Sequence, residues 1–408
     1  MRCETGEVID DLEPQTLEPG TLTPMDVSGR IDRLRARFDR AGSDGDTLEI
    51  DGDGLDGAGI EALLVTSLTN LRYLTGFSGT AGMLLVGPDS ATLFTDGRYR
   101  TQSARQLAEA GVKAEIEIGR PSEQRERLVE ASASFARIGL EAEQVSWSTQ
   151  RSLAKAFADD DVAHELVATE GLVGALRRVK DPGELERLQV AAAIADEALA
   201  RVLHLLVPGV TEATLASALD HQMRELGASD RSFETIVASG PNSAMPHARP
   251  SARQIQPGEL VVIDFGAIFD GYCSDMTRTF CIGEPSSRVL EAVVEVVANA
   301  QLAGVSAVVA GVEAAEVDRA CREVVAAAGW DTSFMHGTGH GVGLEVHEAP
   351  SVGPRSTDKL DESCVVTVEP GVYLPGHGGA RIEDTVVVTS HGCRVLTRAP
   401  KGLVVAPA

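Results

Sequence analysis

Two segments of the chain place acidic side chains inside stretches that otherwise predict buried β-strands. The first, residues 261–279, contains Asp264 and Asp275. A hairpin turn centred between Phe269 and Asp270 would make these two acids direct cross-strand neighbours, with their β-carbons roughly 5 Å apart. Like charges that face each other in this way are unfavourable, and burial increases the cost. The pattern therefore predicts that a positively charged group lies between them.

A second acidic pair follows in residues 365–384, where Glu369 and Glu383 are centred on Gly376 in a glycine-rich turn. Divalent metal ions are the natural counter-charge, because four carboxylates can hold and bridge two ions about 3.5–4 Å apart, as in two-metal hydrolytic sites. Either hairpin alone would be an ordinary surface feature. Their combination predicts a site for metal-assisted hydrolysis.

Histidines are available to complete such a site. Residues 336–347 contain three histidines separated by glycines, which suggests a backbone that passes close to a ligand. In residues 239–250, Pro246 and Pro250 stiffen a loop that presents His247 and Arg249. By itself, a loop histidine is most simply an exposed residue, since loops lie at the surface.

The chain is predicted to form two domains, and the second contains all of these candidate residues. The first domain covers residues 28–175, in which strands alternate with helices from Ile60 onward, as is typical of an α/β domain. Residues 43–57 within this domain read as a surface insertion, because they resemble a calcium-binding loop but lack the glycine and the glutamate that such a loop requires. Residues 1–27 are acidic and aperiodic, which predicts a disordered tail, and Met25 could equally be the start of the protein.

The second predicted domain covers residues 176–408. Asp181 and Glu184 have the spacing of a capping box and Pro182 suits the first helical position, which predicts the start of a long helix. Helices are predicted at about 183–206, 212–226, 287–309 and 312–328. Helices gathered around a mainly antiparallel sheet make this domain α+β rather than a doubly wound sheet.

The overall composition narrows the classes of protein to consider. The chain has 408 residues, 43% of them hydrophobic, and a formal net charge of −25, so it can form sizeable cores but would repel nucleic acids and anionic membranes. No apolar run approaches the roughly 20 residues that span a bilayer, and no signal-peptide pattern is present, which indicates a cytoplasmic protein. The six cysteines are scattered and are expected to be free thiols.

Five short segments of the second domain occur in a recognisable order. They are Ile263-Asp-Phe-Gly266, Ser274-Asp-Met-Thr-Arg-Thr279, Gly339-His-Gly-Val-Gly343, Val368-Glu-Pro-Gly371 and Arg381-Ile-Glu-Asp384. In this order they resemble the pita-bread metallopeptidases, specifically the Xaa-Pro aminopeptidase and Xaa-Pro dipeptidase (prolidase) branch. Residues 64–79 and 95–99 are similar to the creatinase-type N-terminal domain of that branch. The resemblance implies an α+β fold in which a pita-bread catalytic domain follows a creatinase-type α/β domain.

The resemblance also implies a metal-binding role for one histidine and four acids. The implied ligands are Asp264, Asp275, His340, Glu369 and Glu383, with Asp275 and Glu383 bridging two divalent ions. One imidazole among four carboxylates is a hard set of donors, which favours manganese, with cobalt or zinc as alternatives.

The reaction that the resemblance implies is hydrolysis of the peptide bond preceding proline, in Xaa-Pro dipeptides or short Xaa-Pro-Yaa peptides, by attack of a metal-bridging hydroxide. Glu369 would take up the proton, while His247 and His347 would contact the scissile amide and stabilise the tetrahedral intermediate. His336 and Arg381 are expected around these residues, although Arg381 could instead pair with an acid. Members of this branch are usually dimers or larger, and a homodimer that acts on short proline-containing peptides is expected.

Three questions remain open from the sequence. A dipeptidase and an aminopeptidase differ in whether the site is blocked beyond proline, and the residues do not show which applies. A creatinase-like amidinohydrolase shares the fold without metals, and a catalytically inactive binding protein could retain the same scaffold. Both of these alternatives would be expected to lose metal ligands, whereas this chain has the full set.

Overall fold

The computed structural model describes residues 21–38, 59–158, 164–401 and 404–406. The chain divides into two compact units. The N-terminal unit is Asp26–Arg177, and the C-terminal unit combines Met1–Met25 with Arg178–Ala408. The division at Arg177 lies close to the boundary expected at residue 175, and the insertion expected at 43–57 lies outside the described residues.

The N-terminal unit is an α/β sheet. Its strands are β1 (Ala62–Val65), β2 (Met83–Val86), β3 (Ala91–Thr95), β4 (Glu115–Ile118), β5 (Arg137–Glu141) and β6 (Glu165–Thr169). Its helices are α1 (Arg30–Arg35), α2 (Leu68–Thr75), α3 (Arg100–Glu109), α4 (Pro121–Ser132), α5 (Trp147–Ala158) and α6 (Gly174–Arg177). The strand order is β4-β3-β2-β1-β5-β6, and Leu64, Phe94 and Ile138 are buried in its core. This confirms the predicted alternation.

The C-terminal unit combines four long helices with mainly antiparallel strands. The helices are α7 (Pro182–Val202), α8 (Glu212–Glu225), α9 (Arg288–Ala307) and α10 (Ala314–Ala327). The strands are β7 (Asp230–Arg231), β8 (Ile236–Ser239), β9 (Leu260–Phe265), β10 (Ala267–Phe269), β11 (Tyr272–Cys273), β12 (Met276–Ile282), β13 (Gly339–Gly341), β14 (Glu348–Val352), β15 (Val365–Val368), β16 (Gly371–Leu374), β17 (Gly378–Arg381), β18 (Asp384–Thr389), β19 (Gly392–Val395) and β20 (Val404–Ala406). The four predicted helices and the α+β class are confirmed.

The strands of this unit form four sheets among the described residues. Their orders are β11-β10-β7, β20-β12-β9-β8, β14-β13-β15-β18-β19 and β16-β17. The capping box of α7 is also confirmed, because Asp181 Oδ1 accepts a 2.9 Å hydrogen bond from the Glu184 N–H and the Asp181 N–H donates to Glu184 Oε2 at 3.0 Å.

Two expectations from the sequence need correction. The disordered tail expected over residues 1–27 is wrong for its described part, because Leu22 is buried against the core formed by α7 and α8. Helix α9 is long and apolar enough to cross a membrane by length and composition alone, which the sequence pattern did not indicate. Its residues Val293, Val297 and Ala300 are fully buried in the core of the C-terminal unit.

The first acidic hairpin has a different register from the one predicted. Asp270 and Gly271 occupy the centre of the turn, with φ of 45° and 81°, as a two-residue hairpin turn with positive φ at both positions requires. The turn therefore lies one position further along the chain than expected. Asp264 faces Thr277, and the prediction that it faces Asp275 directly is wrong.

The second acidic hairpin has the predicted register. Strand β15 pairs with β18, and β16 pairs with β17, in one continuous register centred on Gly376. Glu369 lies in the link between β15 and β16, and Glu383 lies in the link between β17 and β18. The two glutamates are therefore carried by facing links of one hairpin.

Gly266 allows the first hairpin to form, and this generates a stability prediction. A β-carbon at Gly266 would lie 1.8 Å from the carbonyl oxygen of Ser274, so the two strands would have to separate. We expect Gly266→Ala to lower the free energy of unfolding by about 1–3 kcal/mol in chemical denaturation with chelator present. Gly97→Ala is the control, because a β-carbon added at Gly97 would have no described atom within 4 Å. Equal denaturation midpoints for the two variants would contradict this account of the hairpin.

Candidate metal centre

Strand ends and links between strands position the five predicted ligands. Asp264 lies in β9, Asp275 directly precedes β12, and His340 lies in β13. The facing links of the second hairpin supply Glu369 and Glu383. Asp264, Asp275 and Glu383 are buried, whereas His340 and Glu369 are partly exposed toward a cavity.

Three of these residues come close enough to bind one ion. Asp275, His340 and Glu383 each offer one donor atom, and the three atoms lie within 4.8 Å of one another. His340 Nε2 is 3.6 Å from Asp275 Oδ2 and 3.3 Å from Glu369 Oε1, so Glu369 adjoins the same group. Asp264 lines the same cavity and forms an ion pair with Arg381.

Two carboxylate oxygens in the site lack the partners that burial normally demands. Asp264 Oδ1 and Glu383 Oε1 are buried and have no hydrogen-bond partner among the described residues. An unsatisfied buried acceptor is costly, and a cation would satisfy both oxygens. Carboxylate oxygens with one imidazole are also a donor set that suits divalent ions such as manganese. The residues present therefore fit a divalent metal ion.

The pKa values of the buried acids also indicate a site that would bind a cation. Burial, reinforced by repulsion from Glu383 and Asp264, raises the pKa of Asp275 well above its usual value. Burial, reinforced by repulsion from Glu369 and Asp264, likewise raises the pKa of Glu383 well above its usual value. Without a cation, these two groups are therefore hard to ionise together.

The pKa of Glu369 is lowered rather than raised, because Glu369 contacts His340. Burial alone would raise its pKa, but the hydrogen bond and the charge of His340 lower the pKa of Glu369 overall. The same contact outweighs burial at His340 and raises the pKa of that imidazole. Glu369 is therefore the acid in the site whose anionic form is best supported.

The ring of His340 is oriented by its own strand. Its Nδ1 lies 3.1 Å from the carbonyl oxygen of Gly341, which can only accept, so Nδ1 carries a proton and donates it. When the ring is neutral, the lone pair of Nε2 faces the carboxylates. This is the usual way in which a backbone carbonyl orients a metal-binding histidine.

His336 and Arg381 meet through a tyrosine. His336 Nδ1 donates to the carbonyl oxygen of Gly337 at 2.7 Å, so Nε2 of the neutral ring accepts the 2.9 Å hydrogen bond from the Tyr373 hydroxyl. Arg381 Nη1 donates to the same hydroxyl at 3.0 Å, and its Nη2 pairs with Asp264. The pairing of Arg381 with an acid, which the sequence left open, is therefore present.

The remaining predicted histidines lie at the cavity. His247 and His347 are exposed, and the His347 ring packs edge-on against His340 with ring centroids 4.3 Å apart. All nine residues singled out from the sequence line one cavity of about 510 Å³. Sequence reasoning missed Tyr373, because a tyrosine between apolar residues of a strand gives the same signal as a core residue.

Comparisons with known proteins agree with this arrangement. The model of metallopeptidase family M24 matches residues 186–390, and the model of the Creatinase/Prolidase N-terminal domain matches residues 53–179. The first of these matches includes every residue of the candidate site.

Individual relatives match over most of their length. An uncharacterized peptidase from Bacillus subtilis is 41% identical over 347 residues, covering 85% of this chain and 96% of the relative. An Xaa-Pro dipeptidase from Pyrococcus furiosus is 32% identical over 350 residues, covering 86% of this chain and 97% of the relative. The solved structure of an Xaa-Pro dipeptidase from Bacillus anthracis has a TM-score of 0.84 at 37% identity, covering 92% of this chain and 99% of that one.

The family match, the relatives and the clustered acids all lead to one assignment. The chain belongs to metallopeptidase family M24 and is a metallopeptidase, with a creatinase-type N-terminal domain before a pita-bread catalytic domain.

Proposed function

We propose that this metallopeptidase hydrolyses the peptide bond preceding proline in Xaa-Pro dipeptides or short Xaa-Pro-Yaa peptides. The observation that carries the proposal is the convergence of four carboxylates and His340 on one cavity of about 510 Å³. Relatives that match the chain over most of their length are named Xaa-Pro dipeptidases, which supports the same substrate class.

Asp264, Asp275, His340, Glu369 and Glu383 would hold two divalent ions, for which manganese is the first choice. When bound, such ions lower the pKa of a water molecule and polarise the scissile carbonyl group. Thr277 Oγ1 donates to Glu383 Oε2 at 2.6 Å and leaves Glu383 Oε1 available toward the site.

The protein's own residues would manage the proton and the substrate. Glu369, whose Oε1 lies 3.3 Å from His340 Nε2 at the partly exposed side of the site, accepts the proton of the attacking water. His247 and His347 donate hydrogen bonds to the scissile amide and to the oxygen that develops negative charge. Partial burial lowers the pKa of His347, which favours the neutral ring with one N–H to donate.

The walls of the cavity suit proline. Phe233, Ile236 and Pro246 line part of it with apolar surface. Proline has no amide N–H and a fixed ring, so a rigid apolar wall can recognise it where an extended, hydrogen-bonded binding mode cannot.

The space beside the cavity favours the longer substrates. A second cavity of about 770 Å³ shares His336, Gly337 and Ser351 with the first, which leaves room for a residue beyond proline. Arg355 lines this second cavity and is exposed, so it offers a cation for the terminal carboxylate of a longer peptide. These features support an aminopeptidase that trims Xaa-Pro-Yaa peptides.

We also propose that the protein is a homodimer.

The substrate class is tested by assaying the manganese-loaded protein on Ala-Pro and Ala-Pro-Ala side by side. We expect kcat/KM to be at least about tenfold higher for Ala-Pro-Ala, because only the longer peptide reaches the second cavity. Ala-Ala-Ala is the control for proline recognition and should be a poor substrate. Hydrolysis of neither proline peptide would refute the proposed function, whereas hydrolysis of Ala-Pro alone would refute only the preference for longer substrates.

Asp275→Asn tests the shared ligand. It removes one anionic ligand with little change of shape, so we expect kcat/KM to fall by more than about 100-fold, beyond the usual effect of residues that merely orient a ligand. The metal-free variant should also melt at a higher temperature than metal-free wild type at about pH 8, since one buried like charge is gone. The control is Asp331→Asn, an exposed acid outside the cavity. Activity of Asp275→Asn within about twofold of wild type would rule out this role.

The raised pKa values of Asp275 and Glu383 predict how pH affects stability. A carboxyl whose pKa is higher in the folded chain than in the unfolded chain stabilises the fold when protonated, and this contribution is lost as pH rises through the folded-state pKa. The metal-free protein should therefore lose stability between about pH 5 and about pH 8, a range above the ordinary carboxyl pKa. Added manganese should raise the melting temperature more at the upper end of this range, as differential scanning calorimetry can measure. A manganese-induced shift that is equal at both pH values, or absent, would contradict the prediction.

A further inference from the structure

One buried carboxylate outside the metal centre closes a loop that reaches the active-site cavity. Glu212 is the first residue of α8, follows the N-cap Thr211, and is 0% exposed. Its Oε1 accepts hydrogen bonds from the Ser239 N–H and hydroxyl, both 2.8 Å, and from the Asn242 amide at 3.1 Å. Its Oε2 accepts from the Asn242 amide and the Ser251 N–H, both 3.1 Å, and from the Ser251 hydroxyl at 2.6 Å.

These donors stand at the two ends of one segment, which we name the 239–251 loop. Ser239 is the last residue of β8, and Asn242 lies in a short 3₁₀ helix, Gly240–Ala244. Ser251 closes the other end, and the exposed His247 lies between them. One side chain therefore joins both ends of the loop that carries His247.

The same loop is also held by hydrogen bonds to β17, a strand of the second acidic hairpin. The Gly379 N–H donates to the Ser243 hydroxyl at 2.9 Å, and Arg381 Nη1 donates to the carbonyl oxygen of Pro246 at 3.2 Å. The position of His247 in the cavity thus depends on two anchors, Glu212 at the loop ends and strand β17 beside it.

A carboxylate is the group that this arrangement requires. Every partner of Glu212 in these contacts is a donor, and an ionised carboxylate is the side chain that only accepts. Its place in the first turn of α8 adds the favourable field of the helix N-terminus. Glutamine has the same shape but would direct an NH₂ group at donors.

We infer that Glu212 is a positioning residue that sets the place of His247 in the cavity and acts on the proposed hydrolysis only through that histidine. The inference rests on the proposed function, since it assigns Glu212 a part in the same reaction. It differs from a purely structural role, in which loss of Glu212 would affect stability without dependence on His247.

A double-mutant cycle tests the inference on the manganese-loaded protein with Ala-Pro-Ala. We expect Glu212→Gln to lower kcat/KM by about 10- to 100-fold with metal content unchanged, because an ångström-scale misplacement of a catalytic group costs this much. In the His247→Ala background, the same change should lower kcat/KM by less than about twofold, since no histidine remains to be positioned. Equal fold losses in both backgrounds would overturn the inference.

Glu141→Gln is the matched control. Glu141 is also buried and accepts from the Thr66 N–H at 2.6 Å, the Ser67 N–H at 2.8 Å and the Asn70 amide at 2.7 Å, but it lies in the N-terminal unit and none of these partners lines the cavity. It should leave kcat/KM within about twofold of wild type. If Glu212→Gln does not fold, Ser251→Ala removes one donor and should give the same non-additive pattern with a smaller, several-fold loss.

Hydrogen exchange gives a readout without substrate. The backbone amides of Ser239 and Ser251 should exchange faster in Glu212→Gln than in wild type, whereas Glu141→Gln should leave them unchanged. Unchanged exchange at both amides in Glu212→Gln would overturn the inference even if the wild-type protein is active. Failure of wild type to hydrolyse any Xaa-Pro peptide would instead refute the proposed function, and faster exchange would then show only that Glu212 holds the loop.

Discussion

Mutual repulsion among four carboxylates, three of them buried, is the constraint on which the C-terminal unit depends. Asp264, Asp275 and Glu383 are held within one site, and Glu369 adjoins them at its partly exposed side. Protein partners offset only part of the repulsion, through Arg381 at Asp264 and through His340 at Glu369. The raised pKa values of Asp275 and Glu383 indicate that part of the repulsion is not offset by protein groups. Bound divalent ions would compensate that remainder, and so the same interaction links stability, metal binding and activity.

The surrounding frame is built from buried ionic contacts that keep these acids in place. Next to Glu383, Asp384 is 0% exposed and accepts from Arg278 at 3.0 Å, Gln301 at 2.8 Å and Thr397 at 2.8 Å, which joins β12, α9 and β18. A buried ion pair with all its hydrogen bonds made adds little net stability, but it fixes geometry. A site that must bring like charges together needs such support around it.

Helices α8 and α10 each hold a histidine-bearing segment of the site through one buried acid. Glu212 on α8 closes the loop of His247, and Asp318 on α10 accepts from the Thr338 N–H at 3.1 Å and hydroxyl at 2.9 Å, two residues before His340. In both cases, one buried acid on a helix fixes a stretch of chain that has little regular structure of its own. The catalytic cavity is therefore positioned by helices that contribute no proposed ligand.

The sequence was most informative where residue type alone carries the chemistry. The unusual acids and glycine-separated histidines were found by type and spacing, and the glycine-rich turn gave the correct register for Glu369 and Glu383. The register of the first hairpin failed because the turn takes Asp270 and Gly271 as its central pair, a detail of turn chemistry that shifts every partner by two positions. Supporting residues such as Tyr373 and Glu212 escaped notice, because an aromatic residue in a strand and an acid at a helix start are common for local reasons. Only tertiary contacts reveal their roles.

Metal analysis tests the central claim most directly. The protein would be stripped with chelator, reconstituted with manganese, freed of excess metal and analysed by inductively coupled plasma mass spectrometry. We expect about two manganese ions per chain, held by the clustered carboxylates and His340. Retention of no stoichiometric manganese, cobalt or zinc by the folded protein would contradict it.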